Sequence, residues 1–560
     1  MAVRTRMLVR SLVPIAVLAL AACSSSSTGG AARPTPTKST ASAPTPVAAA
    51  PLSDATKAWW GYDRPATHQA VSTEITVPTR DGTPLSCTLV RPATDGSPAS
   101  GKFPGLVVEF TPYAILRTSY VAGEGTYFAT HGYNALICNL RGTGGSGGTW
   151  RNAMSAQDGK DARDLVEWLA SQPYSNGRIG MTGESYGGQT TYGAAINQAP
   201  HLVAIAPLQS PANLYQDVIY PGGIKSTEGG SIDNWPGVAQ MITGGAVNTE
   251  AEYAANRAHP TYDEYWQSRS FADHYDAIKV PVLTMGGWVD QYFRSGQFTN
   301  IEGALDRTWA IYGQWPHLSP LLYPNCGGVC NSEGLSPGIA LAWFDNWLMK
   351  LPNVPIPAQP TLVSHAGAGS GATSPGWREI TDYRPTGTIA QSFTLNADGS
   401  LGTASPTGGA KTFHQPQDPS TAGGSVLFST GALTAPTSLF GRPTLTLKAT
   451  LSGPDANLYA ELLDIGPDGK ETLVNNGFLR ASHRSSSVKP APVPTGTPVT
   501  LTIAIRPDDW QFAAGHRIAV RVSGGASDML TQNSTPVDVT VATGAGGSTL
   551  TLPTVSRPGA

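Results

Sequence analysis

Two stretches of the chain place a serine between glycines in the pattern G-x-S-x-G: "GGSGG" at residues 144–148 and "GESYG" at 183–187. That pattern carries chemistry only where a strand runs into a tight turn and a helix leaves it, so that the hydroxyl stands exposed on a strained backbone. Ser185 has both flanks, "RIGMT" before it and the small-residue helix start "GGQTTYGAAI" after it. Ser146 runs on into polar loop and reads as a flexible turn. A serine hydroxyl also needs a base to take its proton and an acid to orient that base. In a fold of this kind the order along the chain is Ser, Asp or Glu, then His. Asp290 follows the apolar run of "VPVLTMGGWVDQYF", and His317 ends "RTWAIYGQWPH". His317 is the only histidine between Asp290 and the all-β region, and His131 and His201 precede the acid. Ser185, Asp290 and His317 therefore form the expected nucleophile, orienting acid and general base.

The elements that must position them alternate. "FPGLVVEFTPY" and "YNALICNLRG" are continuous apolar runs, as strands buried on both faces require. "DGKDARDLVEWLASQ" puts Ala162, Leu165, Val166 and Leu169 on one helical face. From residue 69 to 352 this rhythm predicts an α/β-hydrolase domain with a parallel sheet. Residues 211–278 interrupt it with polar and aromatic helical segments, which read as a cap inserted between two strands. From 353 to 560 helical signals nearly vanish, and "TLTLKATL", "VTLTIAI", "HRIAVRV" and "PVDVTVA" alternate with period two between turns. The expectation is an all-β jelly-roll domain, with "GPDGK" as a hairpin turn.

The 560 residues exceed one ordinary core. A net charge of −3 with 13% charged residues offers no nucleic-acid surface. The first 22 residues, with Arg4, Arg6 and Arg10 ahead of "SLVPIAVLALAA", read as a signal peptide. "LAAC" resembles a bacterial lipobox, which makes Cys23 the lipidation site of an exported protein anchored at the outer face of the cell membrane. Residues 23–68 begin Ser/Thr/Pro-rich and read as a flexible stalk. Cys326 and Cys330, in "CGGVC", are expected to pair in an oxidising compartment. Cys87 and Cys138 sit in strand-like runs, where buried thiols and a second bridge both remain open. No metal site and no cofactor motif stands out.

"GESYGG", "GGWVDQYF", "YGQWPH", "TPY" and "LRASHR" together resemble the peptidase S15-type (CocE/NonD) hydrolases. That family includes Xaa-Pro dipeptidyl-peptidases, cocaine-esterase-like acyl esterases and α-amino-acid ester hydrolases. The resemblance implies a serine hydrolase that cleaves small-molecule esters or short peptides through an acyl-enzyme. It also implies an oxyanion hole made by the Tyr113 hydroxyl and the backbone N–H of Tyr186. Glu184 departs from the family pattern and reads either as a solvent-facing or capping carboxylate, or as a contact for a cationic substrate group. Two other classes stay open, a glycan-binding surface lipoprotein and a cell-envelope acyltransferase.

Overall fold

The computed structural model describes residues 47–150, 154–225, 243–244, 249–326, 330–381, 383, 389–402, 406–418, 424–525 and 535–555. The signal peptide, Cys23 and most of the stalk lie outside the described residues. So does part of the cap.

The first layer is a long mixed sheet. Its strands are β1 (Ala48–Ala50), β2 (Gln69–Pro78), β3 (Pro84–Thr94), β4 (Ser97–Pro98), β5 (Phe103–Thr111), β6 (Asn134–Asn139), β7 (Ser175–Glu184), β8 (Leu202–Leu208), β9 (Val282–Gly287) and β10 (Thr308–Gly313). β2 and β3 form an antiparallel hairpin, and β3 continues antiparallel onto β6. From there β6, β5, β7, β8, β9 and β10 run parallel in that spatial order. The central strands are buried on both faces, as their unbroken apolar runs require: Leu106, Val107, Val108 and Phe110 of β5 have no exposed surface. Helices α1 (Asp54–Trp60), α2 (Arg117–Tyr120), α3 (Thr126–Thr130), α4 (Ala156–Ser171) and α5 (Tyr186–Ile196) lie between strands in the chain. The apolar stripe of α4 is fully buried at Ala162, Leu165, Val166 and Leu169, the face the 3.6-residue period assigns.

Two cysteine pairs are closed. Cys326 bonds Cys330, and Cys87 bonds Cys138 directly opposite it in the β3–β6 ladder.

The stalk expectation needs correction at its C-terminal end. Ala48–Ala50 pair antiparallel with Glu379–Thr381. Trp59 of α1 is fully buried and donates its indole N–H to the Ile339 carbonyl at 3.0 Å. Residues 47–60 thus fold onto the domain, because a large indole and a free sheet edge outweigh the flexible composition around them.

The described part of the cap is built round its own aromatic cluster of Tyr215, Tyr220, Tyr262 and Trp266. It also touches the C-terminal domain, where Tyr262 N–H donates to the Ser487 carbonyl at 2.9 Å.

That domain is a two-sheet sandwich of antiparallel strands. One sheet orders Ser425–Ser429, Arg517–Ser523, Asn457–Ile465 and Glu471–Arg480. Leu445, Leu447, Leu458, Leu462, Val520, Val539 and Leu550 fill the space between the sheets. The "GPDGK" turn closes a hairpin, with Gly466 N–H donating to the Lys470 carbonyl. The strand Leu362–Ala368 belongs to both domains. Its first half pairs in parallel with β10 and its last two residues with Trp510 and Gln511 of the sandwich.

Candidate active site

β7 ends at Glu184 and α5 begins at Tyr186, leaving Ser185 alone at the corner with φ 59° and ψ −109°. A non-glycine residue in that region is strained, and the strain is what turns the side chain out of the strand–helix path. Glycine is required nearby for close approach. A Cβ at Gly183 would come within 2.8 Å of Gly187 Cα, and one at Gly187 would overlap the Glu109 carboxyl. The competing Ser146 is occupied in stitching its loop to the sheet. Its hydroxyl donates to the Asn139 carbonyl and accepts from Ser86 N–H, both at 2.8 Å.

The three residues selected by order and context converge from three strand ends. His317 follows β10, and its Nε2 lies 3.1 Å from Ser185 Oγ. Asp290 follows β9, and its Oδ2 accepts from His317 Nδ1 at 2.8 Å. This arrangement fixes the imidazole with Nε2 facing the serine. Asp290 is fully buried and held on every side. Its Oδ1 accepts from Tyr292 and Phe293 N–H at 2.8 and 3.0 Å, and Gln297 donates its side-chain amide to Oδ2. Burial works against the charge, but the adjacent His317 and these N–H groups win and hold the Asp290 carboxyl below its ordinary range. Tyr292 and Phe293 stand edge-on to the His317 ring at 4.9 and 5.0 Å. These aromatic walls and the Gln297 amide were not singled out from the sequence. The only signal for them was their place in "DQYF" and the helix after it.

Tyr113 follows β5 and is buried, with its hydroxyl turned to the Ser185 side chain. Its ring stands edge-on to Tyr186 with centroids 6.3 Å apart. The Tyr186 side chain turns the other way, donating its hydroxyl to Asp158 at 2.9 Å. Its main chain stands in the first helical turn after Ser185, whose N–H groups lack i−4 carbonyl partners. Two residues of the cap, Thr243 and Gly244, reach the turn after Tyr113, where a Cβ on Gly244 would sit 3.6 Å from Ala114 Cβ.

Glu184 is half-buried at the end of β7. Burial and then the nearby charges of Glu124 and Asp290 push its carboxyl well above the usual range. Glu109 and Glu124, the acidic groups near it, are both buried. Among the described residues no cluster of three or more His, Cys, Asp or Glu side chains has the arrangement to hold a metal.

Two family models cover this frame in succession. X-Pro dipeptidyl-peptidase (S15 family) matches residues 81–319, and the X-Pro dipeptidyl-peptidase C-terminal non-catalytic domain matches 346–549. The chain belongs to the peptidase S15-type hydrolases. Among curated S15-type relatives, a cocaine esterase of a Rhodococcus species is 25% identical over 547 residues, covering 83% of this chain and 92% of that protein. A CocE/NonD family hydrolase from Staphylococcus aureus superposes with a TM-score of 0.72 at 22% identity, over 87% of this chain and 94% of that one. An α-amino-acid ester hydrolase superposes with a TM-score of 0.70 at 19% identity, over 88% and 98%. Both superpositions extend over the hydrolase sheet and the C-terminal all-β domain, so the fold class read from the sequence holds. The chain is a hydrolase.

Proposed function

We propose that this hydrolase cleaves carboxylic esters or Xaa-Pro dipeptidyl amides through an acyl-enzyme on Ser185. The observation that carries the reading is the continuous hydrogen-bonded line Ser185–His317–Asp290 at 3.1 and 2.8 Å, on a serine held at positive φ. Ser185 Oγ attacks the carbonyl carbon as His317 Nε2 takes its proton. The tetrahedral oxyanion then accepts hydrogen bonds from the Tyr113 hydroxyl and the Tyr186 N–H. The buried Tyr113 hydroxyl beside Ser185 supports that role, because a donor already desolvated and held at the nucleophile needs no reorganisation. Collapse of the intermediate expels the alcohol or amine, which takes the proton back from His317. A water activated by the same imidazole then frees the acid.

A fluorophosphonate probe tests the assignment. Wild-type protein is expected to label and Ser185→Ala to remain blank, with kcat reduced by about 10⁶-fold as for other serine triads. Labelling that survives in the folded variant would overturn Ser185 as nucleophile. A panel of Gly-Pro and Ala-Pro anilides against short-chain aryl esters divides the two bond types. Anilide turnover rivalling the esters assigns a dipeptidyl-peptidase, and ester turnover alone an esterase.

The proposal places the enzyme outside the cell, held by lipid on Cys23. The paired cysteines Cys87–Cys138 and Cys326–Cys330 support an oxidising compartment. Metabolic labelling with an alkyne fatty acid, lost in Cys23→Ala, is the expected result.

A further inference from the structure

Beneath the elbow lies a carboxyl that the mechanism above does not use. Glu109 sits near the end of β5 with no exposed surface. Its Oε1 accepts the backbone N–H of Glu184, the residue before the nucleophile, at 2.7 Å. Its Oε2 has no hydrogen-bond partner and lies so close to Gly187 that any side chain there would overlap it. One carboxyl thus touches the elbow on both sides of Ser185.

The surroundings decide its charge state. The titratable groups that face it are Glu124 from the turn Val121–Gly125, Glu184 from β7, and the phenols of Tyr113, Tyr120 and Tyr323. Every one of these is neutral or acidic. A fully buried carboxylate with acidic neighbours and a bare oxygen is costly, so the group keeps its proton. As an acid it fits the contacts: the carbonyl oxygen takes the Glu184 N–H, and the hydroxyl oxygen rests against Gly187. Burial, then Glu124, pushes its carboxyl well above the usual range, in agreement with this geometry.

We propose that Glu109 is a positioning residue for acyl transfer: as a neutral acid it fixes the turn that carries Ser185, and on losing its proton it sets a negative charge under the oxyanion site. The inference rests on Ser185 being the nucleophile. The ionised form opposes the reaction because the tetrahedral intermediate also carries negative charge. A conformational prop alone has no such dependence on pH.

The experiment measures kcat and KM for an activated aryl ester across neutral and alkaline pH, in wild type, Glu109→Gln and Glu109→Ala. Wild type is expected to lose kcat at alkaline pH. Glu109→Gln keeps the acceptor for Glu184 N–H but has no acidic proton, so its alkaline decline disappears. Glu109→Ala removes the acceptor and the acidic proton together, so kcat falls roughly tenfold at neutral pH with KM little changed, and no alkaline decline remains. An infrared band of a protonated carboxyl at neutral pH, absent from Glu109→Gln, reports the same proton without turnover. If Glu109→Gln does not fold, Glu124→Gln removes one facing acid and is expected to move the alkaline decline to lower pH. An alkaline profile of Glu109→Gln or Glu124→Gln that superposes on wild type overturns the inference. Retained activity in Ser185→Ala overturns the underlying assignment instead, so the two failures are distinct.

Discussion

Tyr113 offers a direct measurement of what an oxyanion donor contributes. Tyr113→Phe keeps the ring against Tyr186 and removes only the hydroxyl beside Ser185. Its expected effect is a kcat lower by about 10²–10³ with stability unchanged, the usual result of deleting one oxyanion-hole donor. Steady-state kinetics beside a thermal melt checks both halves, and a fall in Tm without a fall in kcat assigns the phenol to packing. At this scale the sequence was legible wherever function follows from position. Ser185, Asp290 and His317 each stand just past an apolar strand, and their order is that of the fold. Glu109 was hidden for the opposite reason. It lies inside an apolar run, and nothing in "LVVEF" tells that this carboxyl meets the elbow rather than a cation. That depends on which strand lies beside β5 and on the register there. The surroundings of Glu184 were hidden on the same ground, since they come from Glu124 and Asp290, distant in the chain.

The junction of β7 and α5 is where single atoms matter most. Gly187→Ala sets a methyl group onto the Glu109 carboxyl, so the helix must move off the strand and carry Ser185 out of reach of His317. Loss of fluorophosphonate labelling in a chain that keeps its wild-type circular dichroism is the expected outcome. The start of α4 carries a pH dependence. Ser155 and Asp158 cap it reciprocally, and Asp158 also accepts from Tyr186, while burial pushes the Asp158 carboxyl up to about 6. The folded state then holds this proton more tightly than the unfolded chain. Asp158 favours folding most at acid pH, and that contribution is lost as pH rises towards about 6. Relative to Asp158→Asn, wild type should lose up to about 3 kcal/mol across that window, read from urea melts at a series of pH values. The Cys87–Cys138 bridge between β3 and β6 spans 51 residues. Replacing both cysteines by alanine should cost about 4 kcal/mol by loop-closure entropy, seen as the same fall on reduction of wild type. The parallel strands and α4 were readable from periodicity. β1 was not, because three alanines in a low-complexity run become a strand only through a partner more than 300 residues away.

The two domains share the strand Leu362–Ala368, which hydrogen-bonds to β10 at one end and to Trp510 and Gln511 at the other. Arg442 of the sandwich adds a second tie, donating to the Ser295 carbonyl and to Thr299 in the helix that follows the Asp290 loop. Ending the chain at residue 352 would bare the edge of β10 and strip that helix of its support. Such a fragment should elute as aggregate, whereas the whole chain should melt in one calorimetric transition. The change of period near residue 353 gives no sign of this sharing, since an alternating run looks the same in either sheet. A strand common to two bodies also limits how they move. Rotation of one domain against the other would shear a continuous ladder of hydrogen bonds, so slow hinge opening is not available as a gate. Substrate entry must then run on the nanosecond-to-microsecond motion of loops and side chains. Small-angle scattering should accordingly return one radius of gyration for the free and the phosphonylated enzyme.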